Sequence, residues 1–470
     1  EAHGRDRPGA DRRSRPPRRD DGDPGLPERP FRDRSDRSDR PAQPRGDAAP
    51  KPARYADRRA AFDTLAAVFD RGEPMDQALD RAFSRLRHPQ DRAFARALAT
   101  YAIRRRGSLL HVADQMLQKP LPPAARASGH ALILGLAQLF LMDVPDHAAA
   151  DSAVWLADEK YKNLINALVR RAARERDTLA PLMDTPGVDL PRWLKARWEA
   201  SYGGATTAAI AQALRAEPPL DLTVPKPVPG LHGERLPTGS LRLTRAGDIR
   251  DLPGFKAGGF WVQDAAAALP ARLVQAQPGE RVADLCAAPG GKTLQLAATG
   301  AAVTAVDKVA DRLRRVQENL DRCGLQADLV TADLNDWSPE APFDALLLDA
   351  PCSATGTLRR RPDVAWHKSP KEIEQLARIQ SRLLSRCVGW LKPGGRLIYA
   401  VCSLEPEEGE AQIDRLLSQR TDIALDPVTA EEACDPAFVT ERGFLRTLPS
   451  HWAERGGLDG FFATRLIKTR

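Results

Sequence analysis

The 470-residue chain lacks several features that would assign it to a membrane, a secretory route or a structural metal. Its six cysteines (286, 323, 352, 387, 402 and 434) form no CxxC pair, and none stands at zinc spacing with a histidine. Free thiols and no metal are therefore expected. The longest predominantly apolar stretch, "ALILGLAQLFLM" over Ala131–Met142, is twelve residues, too short to cross a bilayer and suited to a buried helix. No apolar segment follows a charged start, so a secretory signal is not expected. The Arg-rich beginning is also rich in Asp, unlike a mitochondrial transit peptide. These features lead us to expect a cytoplasmic chain with no membrane partner. Residues 1–50 lack large apolar side chains apart from Leu26 and Phe31, and instead hold 13 Arg, 11 acids and 9 Pro. Such a segment buries too little surface to offset its ordering entropy, so residues 1–53 are expected to be a disordered tail.

What is present divides the rest into three parts. Residues 54–185 follow a helical period, with Phe62, Leu65, Val68 and Phe69 on one face and Phe94, Leu98 and Tyr101 on another. Prolines between these stretches mark loops, giving an all-α domain. Its basic clusters, Arg104–Arg106 and Arg170, Arg171, Arg174 and Arg176, read as charged surface near helix ends or as an RNA-facing surface. Residues 186–265 hold one amphipathic helix, "LPRWLKARWEASYG", and then a Pro-rich run with short strands at most, a connecting and RNA-binding subdomain. In residues 266–470, apolar runs at 281–285, 301–306, 327–332, 343–349 and 395–401 alternate with helical stretches. This is the pattern of a mostly parallel, doubly wound α/β sheet. A net charge of +7 fits a polyanionic partner.

Ligands of such sheets sit at the carboxyl ends of the strands, so the strand ends carry the argument. The first strand runs into "DLCAAPGGKT", whose glycines let a backbone approach a ligand closely. The turn is neither a GxxxxGK[ST] phosphate loop nor a GxGxxG dinucleotide loop. Asp307, Asp333 and Asp349 end the next three strands. Each alone could be a turn residue. Together with the Gly turn they predict a site for a nucleoside with a charged tail, and S-adenosylmethionine (SAM) has that chemistry. The fourth strand end continues as "DAPCSATG", placing Cys352 three residues beyond Asp349; the fifth reads "VCSLEPEEGE", with Cys402.

The set "DLCAAPGGKT", "DAPCSATGTLRRRPDVAW" and "VCSLEPEEGE" resembles the signature motifs of SAM-dependent RNA cytosine-5 methyltransferases of the Sun/RsmB type. The resemblance is close over residues 250–470, where "FKAGGFWVQDAAAALP" is similar to that family's opening segment. It extends more loosely to a NusB-like N-terminal domain. The implied fold is a Rossmann-like doubly wound methyltransferase domain preceded by an all-α NusB-like domain. The implied cofactor site is Cys286, Ala287, Ala288, Pro289, Gly290, Gly291, Lys292, Asp307, Asp333 and Asp349. Val401 stands where the family most often has Thr, which leaves the thiol intact.

Carbon 5 of cytosine is a poor nucleophile, and adding a thiolate at C6 makes it electron-rich. A carboxylate near N3 assists the addition, and a further group assists release. By resemblance, Cys402 attacks C6, Cys352 assists product release, and Asp349 meets the base with Lys292 beside it. Attack by the Pro-Cys thiol, Cys352, is the rival assignment. Arg359, Arg360 and Arg361 are expected to position RNA phosphates, while Glu405, Glu407 and Glu408 are read as capping a following helix. Cys286, Cys323, Cys387 and Cys434 are expected to be packing or surface thiols. The resemblance implies 16S ribosomal RNA, protein-free or partly assembled, as partner of a monomer. Transfer RNA, or a non-catalytic role in ribosome assembly, are the alternatives. An amino-group methyltransferase would carry Asn/Asp-Pro-Pro-aromatic where Asp349-Ala-Pro-Cys352 stands.

Overall fold

Residues 55–244 and 247–470 are described by the computed structural model, and the expected N-terminal tail lies outside the described residues. Seven helices come first: α1 (Ala56–Arg71), α2 (Met75–Phe83), α3 (Pro89–Arg104), α4 (Arg106–Met116), α5 (Arg126–Leu141), α6 (Asp146–Leu156) and α7 (Lys162–Arg174), with a short α8 (Arg176–Leu179) after them. Helix α5 contains the long apolar stretch and is buried along nearly its whole length, as a helix apolar all round must be. With its preceding turn, Pro123–Leu141, it is long and apolar enough to cross a membrane, but 67% of that stretch is buried in this domain.

The connecting region opens with α9 (Arg192–Ala213), broken at Gly203 (φ 81°, ψ 161°). The amphipathic helix expected from sequence is its first half. Strands β1 (Leu220–Thr223), β2 (Glu234–Arg235), β3 (Leu241–Leu243) and β4 (Trp261–Val262) then form an antiparallel sheet in the order β2-β3-β1-β4. A fully buried, bidentate Arg242–Asp221 pair (both bonds 2.7 Å) staples it, and Asp221 also accepts from the Ala265 amide (3.0 Å). Burying two charges is tolerable because each finds its full set of partners.

The C-terminal part runs α10 (Leu269–Leu273), β5 (Arg281–Leu285), α11 (Gly291–Ala297), β6 (Ala302–Asp307), α12 (Ala310–Cys323), β7 (Asp328–Thr331), β8 (Phe343–Asp349), α13 (Val364–His367), α14 (Pro370–Gly389), β9 (Leu391–Val401), α15 (Glu410–Gln419), β10 (Ile423–Asp426), α16 (Ala430–Ala433), β11 (Leu445–Thr447) and β12 (Phe461–Lys468). The sheet order is β10-β12-β9-β8-β5-β6-β7, with β11 beside β12. Strands β5 to β9 are parallel, whereas β12 is antiparallel to β9 and β10. Strand β5 lies between β6 and β8, so the order reverses there, and in such sheets the ligand crevice lies beyond the carboxyl end of that strand.

The helical domain docks on the segment that follows Cys352. Arg104 Nη1 donates to the carbonyls of Arg359 (2.5 Å) and Leu214 (3.3 Å). His367 Nε2 meets the Val68 carbonyl (2.9 Å), and Trp366 packs edge-on against Phe69 at 6.0 Å. Arg106 stacks over the Phe69 ring at 3.8 Å, and Arg105 pairs with Asp189 at 3.0 Å. The 104–106 cluster therefore braces the domain contact instead of facing outward, while Arg170 and Arg174 do stay on the surface.

Helix α2 has no side-chain cap of its own; its Met75 amide donates instead to Asp363 Oδ2 (3.0 Å), 288 residues away. Asp363→Ala should lower global stability by about 1–2 kcal/mol, the usual worth of a cap. It should also open the Gly72–Pro74 turn to proteolysis. Urea unfolding and limited proteolysis check this, and an unchanged midpoint with an unchanged digest would remove the capping role.

Candidate active site

The carboxyl ends of five parallel strands, β5 to β9, carry the site. After β5 the chain turns through Cys286 (φ 61°) to Gly290 (φ 99°), a left-handed position that glycine adopts without strain. A Cβ on Gly290 would also come within 2.9 Å of Val316, so α12 seals the back of the turn. Ala287 and Ala288 are buried against it, and burial pushes the Cys286 thiol up to about 12. At the end of β6, Asp307 accepts from the amides of Ala288 (3.2 Å) and Val309 (3.0 Å). Oδ2 also faces Arg312 Nη1 at 3.5 Å, whereas Oδ1 keeps a free lone pair that suits a ribose hydroxyl. Asp333, after β7, is exposed and held by the Asn335 amide (2.9 Å) and side chain (2.8 Å).

Deeper in the crevice lies Asp284, fully buried at the end of β5, where Oδ2 accepts from Thr293 Oγ1 (2.6 Å). Its Oδ1 has no partner. Burial raises its carboxyl to about 7 despite the Thr293 bond and the nearby Lys292 charge. An orphaned carboxylate oxygen at the ligand end of β5 suits a cationic group. Together with Asp307 Oδ1 and the Gly290 turn, it makes a site that fits SAM, with its ribose and cationic amino-acid end.

Lys292, on the first turn of α11, reaches across to Asp349 at the end of β8 (Nζ–Oδ2 2.8 Å). Burial opposes the lysine charge, but Asp349 and then Asp284 outweigh it and hold its pKa above the ordinary value. Beyond Asp349 stands Cys352, and its Sγ lies 3.5 Å from that of Cys402 at the end of β9. Both cysteine residues are half-buried. The hydrogen bond to Cys402, reinforced by burial, pushes the Cys352 thiol well above its ordinary range. The Cys352 loop is tied to the Cys402 strand end by Gly356 N–H to the Cys402 carbonyl (3.0 Å), and Gly460 N–H donates to the Gly356 carbonyl (2.8 Å). A Cβ on Gly356 would sit 1.9 Å from the Gly460 carbonyl, so only glycine fits.

The structure brings Lys292, Asp349, Cys352 and Cys402 together and keeps Cys323, Cys387 and Cys434 on other elements. It corrects two expectations. Arg359 is not available to a phosphate: its side chain is 1% exposed and lies 4.0 Å from Asp264. Arg360, which pairs with Asp459, and Arg361 do reach solvent. Nor do Glu405 and Glu408 cap α15, since both are fully buried. Glu405 receives Trp198 Nε1 (2.9 Å) and Arg197 Nε (2.8 Å) from α9, and Arg197 also reaches Glu407 (2.7 Å). The sequence reading also missed Ser353, Ser403 and Gln380, which surround Glu408. The Cys-Ser pair repeated at both strand ends was the available signal.

Residues 271–467 match the 16S rRNA methyltransferase RsmB/F family, and residues 56–174 match the NusB family. The chain is 34% identical over 440 residues to ribosomal RNA small subunit methyltransferase B of Xanthomonas campestris pv. campestris, covering 88% of this chain and 98% of the relative. It is 37% identical over 446 residues to the protein of that name in Pseudomonas syringae pv. tomato, covering 87% and 96%. The crystal structure of PH0851 shares the fold with a TM-score of 0.65 at 22% identity, covering 87% of this chain and 98% of that one. A methyltransferase homologue from Pyrococcus horikoshii gives a TM-score of 0.50 at 29% identity over 59% of this chain and 95% of that one. With a NusB helical domain ahead of a Rossmann-like methyltransferase domain, this chain belongs to the RsmB/F family of methyltransferases.

Proposed function

We propose that this chain transfers a methyl group from SAM to C5 of a cytosine in RNA, with 16S ribosomal RNA as the substrate, in the cytoplasm. The observation that carries this reading is the pair of thiols 3.5 Å apart beside the Lys292–Asp349 ion pair. Methylation of a ring nitrogen, an amino group or a ribose needs no thiol, whereas C5 of cytosine needs one at C6. The base must leave any duplex to be attacked, so unpaired or unfolded RNA is the form recognised.

When bound, SAM supplies an electrophilic methyl carbon. Cys402, as thiolate, forms the bond to C6. Asp349, kept in place by Lys292, relays a proton from the buried ammonium to N3, where negative charge would otherwise build up as the C6–S bond forms. After C5 has taken the methyl group, its proton passes to solvent water, the C6–S bond breaks with its electron pair returning to Cys402, and N3 gives its proton back to the Lys292–Asp349 pair. Cys352, its sulfur 3.5 Å away, donates a hydrogen bond to the departing thiolate and so assists release. We assign backbone phosphates to Arg361, exposed just past Cys352, while the Arg360 guanidinium is already held by Asp459.

Labelled SAM and transcribed 16S RNA test the roles. Cys402→Ala should abolish incorporation, and Cys352→Ala should trap an RNA–protein adduct that survives a denaturing gel. The opposite pattern would exchange the thiols, and wild-type protein that leaves the RNA unlabelled would reject this substrate.

Asp284 gives a second expectation. Its proton is bound more tightly in the folded chain, so its contribution to stability is complete below the unfolded carboxyl pKa of about 4. That contribution is lost as the pH rises to about 7. Asp284→Asn should therefore flatten the fall in Tm between pH 5 and 8, and SAM should stabilise wild type at pH 8 more than the variant. Calorimetry showing identical pH slopes for the two proteins would contradict this.

A further inference from the structure

Each thiol is followed by a serine, and both serines end on one carboxylate. Glu408 accepts from the Ser353 amide (2.9 Å) and Ser353 Oγ (2.5 Å), and from Ser403 Oγ through a short bond. Gln380 Nε2 adds a fourth donor (3.0 Å) while also holding the carbonyl of Pro351 (2.9 Å), the residue before Cys352. The backbone carbonyl of Glu408 accepts from Tyr399 Oη (2.6 Å), three residues before Cys402. Glu408 is fully buried, and these partners are neutral donors. A carboxylate so placed is costly to bury, and its four donors are what make it tolerable. All of them belong to segments that carry or support a thiol.

We propose that Glu408 is the positioning residue that sets the distance between Cys352 and Cys402, by tying the residue after each thiol to the same carboxylate. The proposal rests on the two-thiol reading for its consequence in turnover but not for its geometry. Ser353 and Ser403 are each one peptide from a sulfur, so releasing either lets that sulfur drift while the sheet and the SAM turn stay as they are. Two groups that act in succession on one base are sensitive to such drift, since a displacement of about 1 Å costs on the order of 100-fold in rate.

Two readouts test this on the full-length chain. The first is methylation, where Glu408→Ala should lower kcat on the order of 100-fold while KM for RNA and for SAM barely changes. Glu408→Gln, which keeps the shape and one acceptor oxygen, should recover most of the loss. The second is closure of a Cys352–Cys402 disulfide by diamide, which takes up two hydrogens as the S–S bond forms. Peptide mass mapping follows its rate, and Glu408→Ala should slow it at least tenfold, with Glu408→Gln in between. Thermal unfolding and SAM affinity report whether the variants fold. Should Glu408→Ala fail to fold, the double variant Ser353→Ala/Ser403→Ala must show both effects. A folded variant that closes the disulfide and turns over at wild-type rates would overturn the proposal. Slower closure in the variant, with no methylation of RNA by wild type, would leave the tie standing and reject the proposed reaction instead.

Discussion

Strands β8 and β9 lie side by side and parallel, with Asp349 opposite Ala400, and this register decides where both thiols can stand. Neighbouring strands are about 5 Å apart, so side chains leaving adjacent strand ends can share one small molecule. A slip of one residue would turn Cys402 to the opposite face of the sheet. The far edge of β9 is held by β12 in antiparallel pairing, Phe462 opposite Val401, so the register is fixed from both sides. The same β12 segment supplies Gly460 against Gly356 and the Phe461 ring 5.2 Å from the Lys292 ammonium.

Around that pair of strands the chain uses its acids and arginines as internal braces. Glu405 anchors α9 through Trp198 and Arg197, and Arg446 reaches the Ser403 carbonyl (2.6 Å) while pairing with Glu410 (2.6 Å). On the other side, Arg104 and Asp363 bind the segment beyond Cys352 to the helical domain. The loops that line the crevice are thus held from outside, which keeps half-buried cysteines in one arrangement without covering them.

Much of this was legible in the sequence, because residues that carry chemistry sit at strand ends, and strands and helices announce themselves by period. The five parallel strands and the strand-end positions of Asp349, Cys352 and Cys402 follow from such local signals, while the place of Lys292 beside them and the roles of the four came from resemblance to known motifs. Burial of charged residues does not. Arg104, Glu405 and Glu408 lie in polar stretches that read as surface, and partners far along the chain help make their interior positions tolerable. The late strand β12 is similar: its place between β9 and β10 depends on pairings across the sheet that no local pattern encodes.

The bond from the Met75 amide to Asp363 also bears on how the protein is made. Translation proceeds from the N-terminus, so the helical domain emerges with the start of α2 uncapped and Phe69 without its Trp366 neighbour. At ordinary elongation rates the missing 288 residues take about 15 to 60 s to arrive. For that interval the domain's docking face is open to water and to other nascent chains, and its structure is completed only when the loop that bears Cys352 has been synthesised. A domain that is first in the sequence is therefore among the last parts to reach its final form.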